Sequence, residues 1–119
     1  MQNNEIIFYR TAQNDCPLLD FLNSLDKKMY AKVMRTVKLL RDNGNELREP
    51  YSKVLSDGIF ELRVKVGSDI SRVLYFFVAG NKIVLTNGFV KKTQKTPSAE
   101  IARAKQYRRD YLNRIQDGV

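Results

Sequence analysis

The chain has 119 residues, of which 43% are hydrophobic and 29% charged, with a formal net charge of +8. That length fits one domain, residues 1–119, built around a single core, and the composition is that of a globular chain rather than a disordered one. Histidine is absent, which removes histidine-based serine and cysteine hydrolases, the histidine-pair ribonuclease mechanism and most zinc sites. No metal site and no cofactor are expected, and any acid–base chemistry must draw on Lys, Arg, Tyr, Asp or Glu. The one cysteine, Cys16, cannot close an internal disulfide; this fits a reducing cytoplasm and a small buried apolar role. No apolar run approaches the ~18–20 residues that cross a bilayer, so no membrane association is expected. The polar start Met1-Gln2-Asn3-Asn4 lacks the character of a signal peptide.

The charge is unevenly placed. Residues 1–58 hold nine Lys and Arg against eight Asp and Glu, whereas residues 59–119 hold twelve against five. No acidic residue occurs between Asp69 and Glu100, where Arg72, Lys82, Lys91, Lys92 and Lys95 all fall. A positive field of this kind favours a polyanion, either nucleic acid or an acidic protein.

In chain order, Ile6-Ile7-Phe8-Tyr9 reads as a short, well-covered strand. Asn14-Asp15 before Cys16-Pro17 supplies a cap and a first-turn proline for a helix to about Leu25, with Leu18, Leu19, Phe21, Leu22 and Leu25 on its apolar side. Ser24 or Asp26 can cap a longer helix that Gly44 ends. Met29, Tyr30, Val33, Met34, Val37 and Leu40 recur along it at spacings of three and four, a stripe for the core. Lys27, Lys28, Lys32, Arg35, Lys38 and Arg41 fall largely off that stripe. The two helices are expected to form an antiparallel hairpin on one face of a sheet, and Asn45 to Asp57 to form a loop.

Phe60 to Val66 alternates cleanly. Phe60, Leu62, Val64 and Val66 point one way, and Glu61, Arg63 and Lys65 the other, since strand side chains have a period of two. Ile70–Val78 and Lys82–Val90 follow as two more strands, turned by Gly67-Ser68-Asp69 and Gly80-Asn81 into an antiparallel meander. The pattern predicts a sheet with an apolar back and a bare, charged front. Arg72 shares parity with Leu74 and Phe76, so its exposure requires a bend or bulge. A last helix starts at Thr96-Pro97, Thr96 being the cap, with Ile101, Ala104, Tyr107 or Arg108, Tyr111, Leu112 and Ile115 inward.

Phe60-Glu61-Leu62-Arg63, Arg72-Val73-Leu74-Tyr75-Phe76-Phe77, and Gly88-Phe89-Val90-Lys91-Lys92-Thr93-Gln94-Lys95-Thr96-Pro97 with Glu100-Ile101-Ala102-Arg103-Ala104 together resemble the phage-derived branch of HigB-like toxins, within the RelE/ParE superfamily of toxin–antitoxin systems. The resemblance implies an α+β, RelE-like microbial RNase fold: a curved antiparallel sheet of about four strands, an N-terminal helical hairpin and a C-terminal helix. It implies an mRNA interferase, an endoribonuclease that cleaves message on the ribosome, and a helix-turn-helix, HigA-like antitoxin as partner in a heterotetramer. The antitoxin would silence the toxin by covering the basic face or by blocking access to the ribosome.

Metal-free RNA cleavage uses the neighbouring 2′-hydroxyl as nucleophile and needs a proton acceptor, a stabiliser of the phosphorane and a proton donor. Without histidine, cations must do most of this. Lys65 is the leading candidate for base or acid, since a lysine among cations has its pKa lowered. Arg63 and Arg72 suit phosphate oxygens through their planar forks. Arg63 and Lys65 match the paired basic positions on the family's second strand, Arg72 the arginine opening the third, and Lys91 or Lys92 the basic residue after the fourth. Lys95 and Lys82 are candidate RNA contacts, and Phe89 or Tyr51 a stacking platform for a base. Glu61 is an ion-pair partner for this face, or a proton acceptor. Two other classes stay open: a ParE-like toxin that binds DNA gyrase, and a non-enzymatic basic module that grips nucleic acid.

Overall fold

The computed structural model describes residues 4–91 and 95–116. Their order is β1 (Glu5–Phe8), α1 (Pro17–Asn23), α2 (Lys27–Asn43), β2 (Ser52–Ser56), β3 (Ile59–Val66), β4 (Asp69–Val78), β5 (Lys82–Lys91) and α3 (Ser98–Gln116). The class is α+β, compatible with a RelE-like fold. The sheet has five strands in the order β1-β5-β4-β3-β2. β1 runs parallel to β5, and the other pairs are antiparallel, so the expected four-stranded antiparallel sheet is a five-stranded mixed one. The added strand, β2, lies in the segment read as a loop. It is short and irregular between Val54 and Ser56, and it pairs with β3 alone, from Ser52 opposite Leu62 to Ser56 opposite Ile59. A neighbour's ladder orders this edge where its own residues give little strand preference.

α1 opens at Pro17 on a Cys16 cap that makes no side-chain bond, whereas Asn14, an expected cap, takes a φ of 69° in the preceding turn. Asp26 caps α2, its carboxylate accepting from the Met29 amide at 2.8 Å, and Gly44 ends the helix at φ 57°. Met29, Val33, Val37 and Leu40 are buried as the spacing predicts; Tyr30 is not, and stands 43% exposed.

The sheet is covered on both sides. Phe60, Leu62, Val64 and Val66 of β3 and Val73, Tyr75 and Phe77 of β4 pack with α1 and α2, and Cys16 is buried among them. On the opposite face, Ile59, Leu74, Phe76 and Val84 pack with Tyr9 and with Ala104, Tyr107 and Tyr111 of α3. β4 is apolar on both of its faces, so leaving one bare would expose a large hydrophobic area. The charged front expected as bare is therefore largely roofed by α3. Ala104 is fully buried against it, while Leu112 and Ile115, expected inward, stand 39% and 44% exposed.

Polar contacts pin α3 down. The Tyr9 hydroxyl donates to Asp110 at 2.5 Å, Arg114 donates to the same carboxylate at 2.7 Å, and the Tyr9 ring stacks on Tyr107 at 4.7 Å. The bond from Tyr9 is the main cause holding the Asp110 carboxyl below its usual range, and Arg114 adds to it. Burial, then Asp110, pushes the Tyr9 hydroxyl up to about 12. Asp110 stays charged to lower pH folded than unfolded, so its stabilisation is present above the ordinary value of 3.8 and is lost as pH falls below it. That of Tyr9 is full below pH 10 and lost as pH rises through about 12. Melting followed by circular dichroism should show Tm falling in both windows, with the acid loss smaller in Asp110→Asn. Equal acid limbs in the variant and the parent would contradict the assignment.

Candidate functional site

β2 ends its pairing at Ser52 opposite Leu62, and the next amide of β3, that of Arg63, bonds the Tyr51 carbonyl at 2.8 Å. Past that point, among the described residues, no strand pairs with the outer edge of β3, while β4 continues along its other side. α2 reaches over instead: Lys32 Nζ donates to the Lys65 carbonyl at 2.5 Å, satisfying a strand-edge acceptor with a charged donor. Around this end lies a pocket of about 250 Å³ lined by Lys32, Thr36, Pro50, Tyr51, Arg63, Val64, Lys65 and Ile70. Three of these side chains are cationic and none is acidic. Tyr51 is 46% exposed at its rim, and Lys65 is exposed.

Behind the pocket lies a buried ionic cluster. Glu61, with no exposure, accepts from Arg63 Nε at 2.6 Å and lies 3.6 Å from Arg72 Nη1. The Thr96 hydroxyl donates to its second oxygen and accepts from Arg72 Nη1 at 3.1 Å. Arg72 is itself fully buried. Burial lowers the Arg72 pKa; Glu61 opposes that and Arg63 adds to it. One carboxylate thus answers two guanidiniums. It lies between the buried Arg72 and Arg63, whose side chain is 18% exposed and lines the pocket.

The site residues read from the sequence separate accordingly. Arg63, Lys65 and Tyr51 come together in the pocket, joined by Lys32. Lys91, exposed at the end of β5, lies on the same cross-strand row as Lys65, with Ile70 between them. Arg72 is a correction: the register shift in β4 falls between Val73 and Tyr75, and no bulge turns Arg72 outward from under α3. It braces the site from beneath. Phe89 is a second correction, for its half-buried ring packs in the α3-side core; Tyr51 is the aromatic at the pocket. Lys82 is a third. It starts β5, nine residues from Lys91 and so roughly 30 Å away along the strand, in a depression with Asn4, Asn45 and Phe77. Lys95 is exposed in a separate groove beside Lys53 and Val54. Lys92 lies outside the described residues. Among those residues, no three of His, Cys, Asp and Glu gather into a group that could hold a metal ion.

A family model described as phage-derived protein Gp49-like (DUF891) matches residues 20–109. The chain belongs to that family. It is a RelE/HigB-like family of toxins from toxin–antitoxin systems. The matched stretch runs from within α1 into α3 and includes every residue that lines the pocket. No curated protein matches the chain. In this Gp49-like chain, Lys32, Thr36, Pro50, Val64 and Ile70 are the pocket residues that sequence reasoning missed. Lys32 gave one signal, as a cation off the buried stripe, but nothing in the helical period says which strand it faces.

Proposed function

We propose that this protein is the toxin of a type II toxin–antitoxin system, an endoribonuclease that cleaves message on the ribosome in the cytoplasm without a metal ion. The observation that carries the reading is the pocket itself: Lys32, Arg63 and Lys65 converge beside an exposed tyrosine with no acidic residue among them. Its form suits a single-stranded nucleotide, with cations for the phosphate and a ring for a base. In the reaction the 2′-oxygen forms a bond to the adjacent phosphorus and the bond to the 5′-oxygen breaks. This leaves a 2′,3′-cyclic phosphate and a 5′-hydroxyl. Arg63, oriented by Glu61 through Nε, offers charge-assisted hydrogen bonds to the phosphorane oxygens. Lys65 is the proton-transfer group, as base towards the 2′-hydroxyl or acid towards the leaving 5′-oxygen. Tyr51 stacks on the base, and Lys91, Lys92 and Lys95 hold the flanking backbone. A helix-turn-helix, HigA-like antitoxin neutralises the toxin, in a heterotetramer.

Purified toxin added to ribosomes programmed with a defined message should produce cuts at the decoding site that carry cyclic-phosphate ends. Absence of cuts, with salt-sensitive RNA binding retained, would reduce the protein to a nucleic-acid-binding module. Absence of cuts with inhibition of gyrase would instead favour the ParE-like alternative.

A further inference from the structure

Charge averaged over the first half of the chain conceals a concentrated source. α2 carries Lys27, Lys28, Lys32, Arg35, Lys38 and Arg41 against a single acid, Asp42. Asp42 is 3.7 Å from Arg41; among the described residues the other five cations make no ion pair. A merely solvated helix face is ordinarily stabilised by acids in its first turn, where the macrodipole is positive, and by Glu–Lys pairs four apart. Beyond its Asp26 cap, α2 lacks these acids. Its first turn has no acid and holds Lys27 and Lys28, and Lys28, Lys32 and Arg35 follow one another as like charges four and three apart. Asp26 at the cap and Arg41 in the last turn suit the macrodipole, so what the sequence accepts to keep this face positive is the repulsion among Lys28, Lys32 and Arg35. Lys32 gains the bond to the Lys65 carbonyl. Lys28 and Arg35 make no ion pair among the described residues, and like charges kept there without local gain point to function.

We infer that the exposed face of α2 around Lys28, Lys32 and Arg35 is a second RNA contact, gripping the phosphate backbone of a folded, double-stranded RNA element outside the cleavage pocket. The inference rests on the RNA reading of that pocket and extends it. Continuity is direct, since Lys32 belongs to this row of cations and lines the pocket. Lys28 to Arg35 spans roughly 10 Å of rigid helix, a fixed row of charges rather than a flexible tail. No aromatic side chain stands between them to stack on unpaired bases: Tyr30, the one exposed ring of α2, projects about 160° around the axis from Lys32. Charge without stacking fits paired RNA, read through backbone and shape.

The test uses the full-length double variant Lys28→Gln/Arg35→Gln, which leaves the pocket intact. Its affinity for purified ribosomes and for a ~20-base-pair RNA duplex is measured as a function of salt. Loss of two phosphate contacts should flatten the slope of log K against log salt by about 1.8 and weaken binding roughly tenfold or more near 0.1 M salt, with cleavage at saturating ribosomes unchanged. An unchanged slope for both RNAs overturns the inference, as does a loss of binding confined to an acidic protein such as the antitoxin. If the parent cuts no message but the slope for the duplex still flattens, the contact stands and the cleavage reading fails. Should the double variant not fold, Lys28→Gln alone, in the first turn, must still flatten the slope by about 0.9.

Discussion

Glu61→Ala is expected to lower stability by about 3–5 kcal/mol, the usual cost of removing one partner from a buried ion pair. The variant keeps Arg72, which has no exposure, but deprives it of its carboxylate, and the Thr96 hydroxyl loses its acceptor as well. Arg63, fixed through Nε by the same carboxylate, loses its orientation. At about 4 °C per kcal/mol for a chain of this size, Tm should fall roughly 12–20 °C. The double variant Glu61→Leu/Arg72→Met should recover most of that loss, because a buried pair exchanged for apolar groups of similar volume is often close to neutral. Circular-dichroism melts of the parent, single and double variants decide the matter. A single variant melting with the parent would show that the cluster is not what closes the α3 side of the sheet. By the same reasoning, a loss of toxicity in Arg72→Ala would report unfolding before it reported chemistry.

The alternation of β3 was legible because a period of two survives in any surroundings, and Gly67, Gly80 and Asn81 mark their turns by positive φ. What single-strand patterns could not convey was which face another element would cover. For Arg72 the information was present in its parity with Leu74 and Phe76, which already put it on a buried row. Thr96 before Pro97 carries an ordinary helix-cap signature, yet its hydroxyl serves Glu61 and Arg72. A polar residue near a helix start is ambiguous when a buried charge lies within reach. The pocket was half legible. Arg63 and Lys65 are two apart on one strand, but Lys32 and Tyr51 reach them only through tertiary packing around an unpaired sheet edge, and that packing has no period.

Lys65→Ala should leave Tm nearly unchanged, within about 0.5 kcal/mol, since the side chain is exposed. The rate of message cleavage should fall by about 10²–10⁴, the range for loss of a positioned proton-transfer group. Arg63→Ala should cost about 10²–10³, the range for loss of one electrostatic stabiliser of the transition state, together with a small drop in Tm from the lost Glu61 bond. Arg63→Lys separates charge from geometry. Lysine keeps the charge but cannot hold Glu61 through Nε while presenting a planar fork to phosphate, so it should restore little of the rate. Lys82→Ala, on the far end of β5, should cut at the parental rate. These comparisons belong in single-turnover assays on ribosome-bound message, where chemistry is separated from ribosome binding. Full cleavage by Lys65→Ala would remove that residue from the mechanism; full recovery by Arg63→Lys would mean that the site needs positive charge there and not the bidentate geometry that Glu61 holds in place.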